Sequence, residues 1–410
     1  MAVNNSLRWQ LAVLIWVCFL GKVVFLCFNS STMAGIYVHI PFCASRCAYC
    51  DFFSTLKLEQ AGAPYVEALV AEARLRRDEL RGEAVSTLYL GGGTPSQLPL
   101  PLLQRLVEGL RSTFDLTGVE EFTIEANPDD VTHEWCAALP ALGVNRVSMG
   151  VQSFEDDILR AIGRRHTAQQ AVDAVSCLRA AGIHNISIDL IYGLPRQTVP
   201  LWTESVEQAI ALRPQHISAY GLTYEEGTPL WRQRERGEVA EVPEEQCLEM
   251  YRILADELCQ AGYEHYEISN FALPGFYSRH NSSYWDGTPY LGLGAAAHSY
   301  DGTVRRANVC DLKQYISAVS SGRMACVEEE MTWQERYDEQ VMLGLRTARG
   351  VDAGRLRQTF GDAAWQYFTR EAQHCIEAGS LRVTEDGRYV LTREGIMLSD
   401  SVIRDLMWDA

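Results

Sequence analysis

Three cysteines within eight residues carry the strongest chemical signal in the sequence. Cys43, Cys47 and Cys50 follow directly after a short apolar stretch. Thiolates are the standard protein ligands of iron–sulfur clusters, and three of them leave one iron of a [4Fe–4S] cubane open. An open iron can chelate the amino and carboxylate groups of S-adenosylmethionine and position its sulfonium for one-electron cleavage. The spacing therefore predicts a [4Fe–4S] cluster with S-adenosylmethionine beside it.

Spacing alone leaves two other interpretations of these cysteines open. One is a zinc ion that takes the three thiolates and is completed by His39 or by a distant cysteine. The other is three unrelated reduced thiols. The strand pattern described below favours the cluster, because the cysteine loop then follows the first strand of a parallel sheet, where active sites gather.

Glycine and polar residues close several of the other predicted strands. The run Gly91–Pro95 follows one strand, and its glycines would let the backbone approach a ligand and present N–H groups to a carboxylate. A plain turn has the same composition. Glu125 closes the next strand and is suited to hydrogen-bond a ribose or an ammonium group, the alternative being an exposed acid. Gln152 and Asp189 close two further strands, so we expect a ligand site along this edge.

Short apolar runs alternate with amphipathic stretches from Gly35 onwards. The runs are rich in β-branched residues and end near a glycine or a polar turn, as buried strands do. The stretches between them repeat apolar residues at helical spacing. The pattern predicts an α/β fold, a parallel sheet that is open or closed into a barrel. The predicted strands are Ile36–Ile40, Thr87–Leu90, Glu121–Glu125, Arg146–Gly150, Ile186–Ile191 and His216–Leu222, and the predicted helices are Tyr65–Arg77, Leu100–Thr113, Ala168–Ala181 and Leu201–Leu212.

The pattern divides the rest of the chain as well. Residues 33–269 form the alternating core, and residues 270–329, rich in aromatics, Gly and Pro at their start, predict irregular loops and short strands. Residues 330–410 predict a small winged-helix-like domain. Because this domain is acidic, we expect it to be a docking or lid domain and not a DNA reader. Its predicted elements are the helices Thr332–Leu345, Val351–Phe360 and Ala364–Glu377, the hairpin Leu381–Val383 and Arg388–Leu391, and the helix Glu394–Leu406.

Residues 1–32 differ from the remainder. Leu11–Phe28 is almost wholly apolar, which is compatible with a signal-peptide core or a short membrane anchor. Lys22 interrupts it, no convincing cleavage site follows, and export would carry the cluster cysteines out of the reducing cytosol. We therefore favour Met33 as the true start, with the upstream stretch a mis-assigned extension, and a membrane anchor as the second interpretation.

Charge and cysteine usage limit the partners and the compartment. The chain has 36 Lys and Arg against 53 Asp and Glu, a net charge of −17. It lacks the basic footprint of a nucleic-acid-binding protein, which weighs against the RNA-modifying radical enzymes. Outside the cluster motif, its cysteines are scattered without a regular framework. This usage indicates a reduced, cytoplasmic protein.

Residues 35 to about 400 resemble the oxygen-independent coproporphyrinogen III oxidase superfamily of radical S-adenosylmethionine proteins. The motifs that carry the resemblance are YVHIPFCxxxCxxC from Tyr37, GGGTPS, IEANP, GVQSF and IDLIYGLP. It implies a partial (β/α) barrel with a C-terminal helical, winged-helix-like domain, and a cluster on Cys43, Cys47 and Cys50.

The same resemblance implies which residues contact S-adenosylmethionine. Tyr37, Gly92 and Glu125 match positions that bind it, and His298 matches, less specifically, a residue that closes over the cofactor. A further set matches positions that hold a second S-adenosylmethionine in the oxidase. These residues are Tyr49, Gly93, Thr94, Gln152, Arg164 and Asp189.

Two departures from the oxidase point to the HemW-type heme chaperone subfamily. The oxidase has a fourth cysteine two residues after the third, where this chain has Phe52. It also has a long folded segment before the first strand, which the apolar stretch here does not resemble. The sequence His280-Asn-Ser-Ser-Tyr284-Trp285 matches the HNxxYW heme-binding signature of the chaperones. The resemblance thus implies that His280 is the axial ligand of heme iron.

Composition gives a different account of the same segment. The aromatic residues near His280 could form the walls of a pocket for a flat macrocycle, and Arg279 could bind the propionates of that macrocycle. Rings that pack the junction between barrel and C-terminal domain, with His280 hydrogen-bonded among them, would have the same composition. The aromatic residues in question are Phe271, Phe276, Tyr277, Tyr284, Trp285 and Tyr290.

The leading functional hypothesis is a heme carrier that delivers heme to membrane hemoproteins, cytoplasmic or peripherally associated with the membrane. The second is the oxidase itself, which decarboxylates coproporphyrinogen III in porphyrin biosynthesis. A third is another radical tailoring enzyme on the same scaffold. Three features separate the first two: Phe52, the expected lack of the oxidase's folded front segment, and the His280 motif. The expected cofactors of the first are the cluster, S-adenosylmethionine and heme.

Overall fold

The computed structural model describes residues 33–408 and, before them, the backbone of a two-stranded antiparallel pair, β1 (Cys18–Phe19) and β2 (Lys22–Val23). The rest of the 1–32 extension lies outside the described residues, so its two interpretations stay predictions. Across residues 33–408, every helix is too short or too polar to traverse a lipid bilayer.

Six parallel strands in chain order form the centre of the fold, and each coincides with a predicted strand. Their backbones pair in the sequence order, as expected for repeated strand–helix–strand units. Most of their side chains are buried, and apolar residues alternate with buried polar ones such as Thr123, Ser187 and His216. The strands are β3 (Met33–Ile40), β4 (Ala84–Gly92), β5 (Glu121–Ala126), β6 (Arg146–Gln152), β7 (Asn185–Tyr192) and β8 (His216–Gly221).

Helices connect these strands, and threonine caps fix several of their starts. Thr132, Thr167 and Thr198 each accept a hydrogen bond from a backbone N–H of the first turn. The first helix begins seven residues before its predicted start at Tyr65, so Pro64 lies inside it. The helices are α1 (Leu58–Leu75), α2 (Leu100–Arg111), α3 (His133–Leu142), α4 (Asp156–Ala161), α5 (Ala168–Ala180), α6 (Val199–Leu212), α7 (Pro229–Glu235) and α8 (Glu244–Gln260).

The segment 270–329 is more regular than its composition predicts. The expected short strands are present, but they extend the central sheet at both edges. One of them pairs parallel with β3 and so adds a seventh parallel strand. The elements from this stretch and just before it are β9 (Glu264–Glu267), β10 (Asn270–Ala272), α9 (Arg279–Trp285), β11 (Tyr290–Leu293), β12 (His298–Tyr300), β13 (Val304–Asn308), α10 (Leu312–Ser320) and β14 (Cys326–Glu330).

A buried carboxylate ties α1 to this later segment. Glu72, with no exposed surface, accepts hydrogen bonds from Arg76 at 3.0 Å, the Gly294 amide at 2.8 Å, Asn308 at 2.7 Å and the Tyr315 hydroxyl at 2.6 Å. A buried charge is tolerated only when its lone pairs are satisfied. The part of segment 270–329 that supplies these donors is therefore integral to the packing of the barrel.

The C-terminal domain has its own hydrophobic core and a three-stranded sheet, as expected of a winged-helix-like fold. Its two predicted central helices are confirmed, because the backbone of Gly361, with φ of 87°, is non-helical and breaks the run Ala353–Glu377 between them. The predicted hairpin strands are confirmed. The elements are α11 (Trp333–Leu345), β15 (Val351–Asp352), α12 (Ala353–Glu377), β16 (Leu381–Val383), β17 (Arg388–Leu391), α13 (Arg393–Met397) and α14 (Ser399–Leu406).

Candidate functional site

A cavity of about 410 Å³ opens at the carboxyl ends of the parallel strands, where the sequence predicts a ligand site. Two of the predicted cluster cysteines, Cys47 and Cys50, line it. Most of the predicted cofactor residues line it too. These are Tyr49, Gly92, Gly93, Thr94, Glu125, Gln152, Arg164 and Asp189.

The cysteine loop is held to the barrel by side chains that contact its thiols. The Thr94 hydroxyl donates to Cys43 Sγ at 3.4 Å, and an Arg164 guanidinium N–H donates to Cys47 Sγ at 3.4 Å. Burial raises the pKa of the Cys43 thiol, and it raises that of Cys50 to about 11. A metal centre would overcome this cost, since a coordinated thiol is deprotonated.

The donor set fits an iron–sulfur cluster better than a zinc ion. His39, the proposed fourth zinc ligand, has both ring nitrogens occupied, Nδ1 at 3.0 Å from the Tyr37 hydroxyl and Nε2 at 3.0 Å from the Phe53 carbonyl. Within residues 33–408, no three His, Cys, Asp or Glu side chains gather closely enough to hold one ion. A cubane differs, because each thiolate binds a separate iron.

Glu125 is the central acid of the cavity. Its two oxygens accept hydrogen bonds from the Tyr89 hydroxyl at 2.8 Å and the Gly92 amide at 3.0 Å. Burial, and then the negative charge of Asp189, raises the pKa of Glu125 to about 7. Near neutral pH this carboxyl group exchanges between a neutral and an anionic form, and the anion would attract a cationic ligand.

Gly92 is a glycine for two physical reasons. Its φ of 112° is one that side chains disfavour, and a Cβ there would lie 2.5 Å from the His39 ring. The bare backbone lets the Gly92 amide reach Glu125. The glycine run is thus more than a plain turn.

Arg164 links three elements around the cavity. Besides Cys47, its guanidinium donates to Asn127 Oδ1 at 2.6 Å and to the Gly150 carbonyl. Its Nε is buried without a hydrogen-bond partner among the described residues, so the side chain retains capacity for a ligand. Asn127, in the IEANP motif, also lines the cavity and was not predicted, although it follows a predicted strand.

The far side of the cavity is formed by β6, β7 and β8. Gln152 closes β6 with a φ of 66°, a strained conformation of the kind found at functional sites. Asp189 lies inside β7, not at its end, and burial raises its pKa to about 6. Ser148, inside β6, and Tyr220, near the end of β8, also line the cavity and were not predicted.

Two predicted cofactor residues lie outside the cavity lining. Tyr37 is in the barrel interior, where its hydroxyl contacts His39 and its ring lies 6.4 Å from that of His280. His298 is exposed at the start of β12 and pairs through its backbone with Ala307. His298 thus belongs to the sheet extension beside β11, and its expected closure over the cofactor stays a prediction.

His280 is not exposed to an aromatic pocket in this structure. It is 1% exposed, with Nδ1 2.8 Å from Thr87 Oγ1 and Nε2 2.8 Å from the Tyr284 hydroxyl, and its ring stacks on Tyr89. Burial, and then the charge of Arg146, lowers its pKa to about 3. Neither ring nitrogen is free to bind iron here, which matches the alternative of a histidine hydrogen-bonded among packed rings.

The residues that were considered as a heme pocket around His280 make contacts in different parts of the structure. Arg279 forms an ion pair with Glu120, and the Tyr277 ring stacks on Tyr266. Only Trp285, at the end of α9, faces a large cavity, the one next to the C-terminal domain. In this conformation these residues therefore do not form one aromatic pocket around His280, in agreement with the alternative of packed rings.

The fold and this site define a radical S-adenosylmethionine protein. The family model described as "Radical SAM superfamily" matches residues 37–208, and the one described as "HemN C-terminal domain" matches residues 331–398.

Similar proteins cover nearly the whole chain. The "Heme chaperone HemW" of Lactococcus lactis is 36% identical over 373 residues, which is 91% of this chain and 97% of that one. The protein of the same name from Bacillus subtilis is also 36% identical and covers 90% and 98%. The mouse mitochondrial "Radical S-adenosyl methionine domain-containing protein 1" is 31% identical, with 92% and 88% covered.

The solved structure of coproporphyrinogen III oxidase (HemN) from Escherichia coli superposes with a TM-score of 0.79 at 25% identity, covering 93% of this chain and 91% of that one. The chain belongs to the HemW/HemN family of radical S-adenosylmethionine proteins.

Proposed function

We propose that this protein is a heme chaperone that binds heme, a [4Fe–4S] cluster and S-adenosylmethionine, and that delivers the heme to membrane hemoproteins. The observation that carries the proposal is the extent of the match to proteins named heme chaperone. At 36% identity it spans 97% and 98% of two such chains, against 25% identity to the oxidase structure.

Phe52 supports the chaperone over the oxidase. It occupies the position where the resemblance places a fourth cysteine in the oxidase, and a phenyl ring offers no ligand to a metal or substrate. In this structure Phe52 is 65% exposed and lines the mouth of the cavity. An exposed aromatic ring there suits contact with another molecule better than catalysis.

Cys43, Cys47 and Cys50 would hold the cluster, which supplies single-electron chemistry toward S-adenosylmethionine. The chain's own residues orient the cysteine loop and bind the ligand. Arg164 fixes the loop around Cys47, and Glu125, held by the Gly92 amide, offers a carboxylate to a cationic or hydroxyl group.

The second candidate is the oxidase, favoured by one observation. Tyr49, Gln152, Arg164 and Asp189, which match the positions for a second S-adenosylmethionine in the oxidase, all line the same cavity. The site thus keeps the residue types that two cofactor molecules would need.

The experiment that separates the two uses anaerobically reconstituted protein. Titration with hemin should give a Soret band that saturates at one heme per chain. The same preparation, given coproporphyrinogen III, S-adenosylmethionine and a reductant, should leave the substrate unchanged. Decarboxylation without stoichiometric heme binding would assign the oxidase activity instead.

The acceptors in this proposal are membrane hemoproteins, with the protein cytoplasmic and peripherally associated with the membrane during transfer. A heme-loaded sample mixed with vesicles that carry a heme-free membrane cytochrome should lose its heme to that cytochrome. Transfer at the same rate as from free hemin would argue against a delivery role.

A further inference from the structure

A second large cavity, of about 650 Å³, lies between the barrel extension and the C-terminal domain. We call it the arginine groove. Trp285 at the end of α9 and Tyr300 of β12 form one side, while Arg336 of α11, Arg355 of α12 and Phe360 form the other. We call the cavity of about 410 Å³ at the carboxyl ends of the strands the cofactor cavity. The arginine groove shares no lining residue with it, so the two can be occupied independently.

The charge of the groove contrasts with that of the whole chain. Four arginines and three carboxylates, those of Asp286, Glu339 and Asp352, line it in a protein with a net charge of −17. Glu339 pairs with Arg305 of β13. Arg349 pairs with Asp286 at 2.8 Å and Arg388 with Asp352 at 3.2 Å. The other two, Arg336 and Arg355, have no carboxylate within ion-pair distance in the part of the chain that the structure describes.

Two free guanidinium groups beside one cavity suit a ligand with two carboxylates, because Arg presents a planar set of donors that matches a carboxylate.

Three aromatic residues lie among the residues that line the groove. Trp285, Tyr300 and Phe360 present rings to the groove, and Arg346 lies over the Trp285 ring at 5.1 Å from its centroid. The Trp285 indole N–H is buried with no acceptor among residues 33–408. Such a wall offers a flat apolar ligand both stacking area and one unused donor.

The groove also approaches His280. A smaller cavity of about 150 Å³ shares Gly287, Tyr300, Glu339 and Leu343 with it and is lined by Tyr284. The Tyr284 hydroxyl is the group that lies 2.8 Å from His280 Nε2. The phenol of Tyr284 thus lies between this extension of the groove and the imidazole.

We infer that heme binds in the arginine groove, with its two propionates on Arg336 and Arg355 and its macrocycle against Trp285. The inference rests on the proposed heme chaperone function and specifies the site for it. A ligand with two propionates and a flat apolar body is the one whose chemistry the free guanidinium pair and the aromatic wall both match.

The test compares the full-length, cluster-loaded Arg336→Gln/Arg355→Gln variant with wild type in anaerobic hemin titrations. Loss of two charge-assisted contacts should weaken heme binding about ten- to a hundredfold. Iron content, S-adenosylmethionine binding and melting temperature should match wild type, since the groove and cofactor cavity are separate. Arg252→Gln/Arg323→Gln is the matched control, because both arginines are exposed and lack an ion pair among the described residues.

A second ligand isolates the propionate contacts. Hemin dimethyl ester keeps the macrocycle but lacks the carboxylates, so wild type and the double variant should bind it equally. If wild type binds hemin and the double variant binds it as tightly, the groove assignment is overturned while the chaperone function stands. If wild type itself binds no hemin, the chaperone function fails first.

Discussion

The Nε2 atom of His280 lies 2.8 Å from the hydroxyl oxygen of Tyr284, four residues later on the same helix face. Both residues belong to the HNxxYW motif, so two of its members bind each other in this conformation. A histidine that serves heme must first exchange this contact for iron. The phenol therefore competes with the metal for Nε2.

Replacement of Tyr284 by Phe should relieve this competition. Removal of a hydrogen bond of this kind, worth about 1 kcal/mol, should tighten heme binding by roughly fivefold if His280 is the ligand. The readout is a hemin titration together with the Soret position. Tyr277→Phe is the control, because its hydroxyl binds Glu264 and not His280. An unchanged affinity and spectrum in Tyr284→Phe would mean that another residue ligates the iron.

Replacement of a single cluster cysteine should abolish the iron centre. Cys50→Ala removes one of three thiolates, and a cubane held by two is lost on handling, so iron should fall from about four per chain to near zero. Chemical iron analysis and the thiolate-to-iron absorption measure this. Cys259→Ala, at an exposed position on α8, should retain the iron. Full iron content in Cys50→Ala would place the cluster elsewhere.

S-adenosylmethionine binding should strengthen between pH 6 and pH 8. The pKa of Glu125 is raised to about 7, so its carboxyl group is mostly neutral at pH 6 and mostly anionic at pH 8. If the anion holds the ligand, affinity rises about tenfold over this range.

Equilibrium binding of labelled S-adenosylmethionine measures this pH dependence. Glu125→Gln should bind weakly at both pH values and so lose the difference. A pH profile that is the same in Glu125→Gln as in wild type would remove Glu125 from this role.

A methyl group at Gly92 should damage the cofactor cavity selectively. In Gly92→Ala the new Cβ meets the His39 ring at 2.5 Å, which would displace the amide that holds Glu125. S-adenosylmethionine binding should weaken by about tenfold or more, in addition to a stability loss of about 1 kcal/mol from the positive φ.

Gly182→Ala provides the matched control, because Gly182 also has a positive φ, of 87°, but nothing lies within 4 Å of its Cβ position. It should lose stability without losing the ligand. Equal binding by the two variants would show that the backbone conformation, and not the contact with Glu125, is what matters at Gly92.

The central strands were predictable because their signal is local. Runs such as Ile186–Ile191 are apolar, β-branched and bounded by turns, and β7 falls within two residues of that prediction. The hairpin Leu381–Val383 and Arg388–Leu391 was predicted to the residue for the same reason.

The seventh parallel strand was missed. β11 has only four residues, one of them a glycine, and it is a strand only because it pairs with β3, about 250 residues earlier in the chain.

The residues of the functional site show the same difference between local signals, which the sequence reveals, and long-range contacts, which it does not. Cysteine spacing and residues at strand ends, such as Gly92 and Glu125, identified part of the cavity lining, and the family resemblance added Tyr49 and Arg164. The surroundings of His280 were not predictable, since its partners Thr87 and Glu121 lie 193 and 159 positions earlier in the chain. Composition alone does not distinguish a histidine bound to heme from one sealed inside the barrel.

The Glu72 cluster sets an order on folding during synthesis. Its Tyr315 partner is 243 residues further along the chain. At a translation rate of about 5–20 residues per second, α1 leaves the ribosome roughly 12–50 s before its buried carboxylate can be satisfied.

Until then the Glu72 carboxylate has Arg76 as a partner but lacks the donors from Gly294, Asn308 and Tyr315. A nascent chain halted at residue 290 should therefore be cleaved readily by protease. One halted well beyond residue 330 should resist.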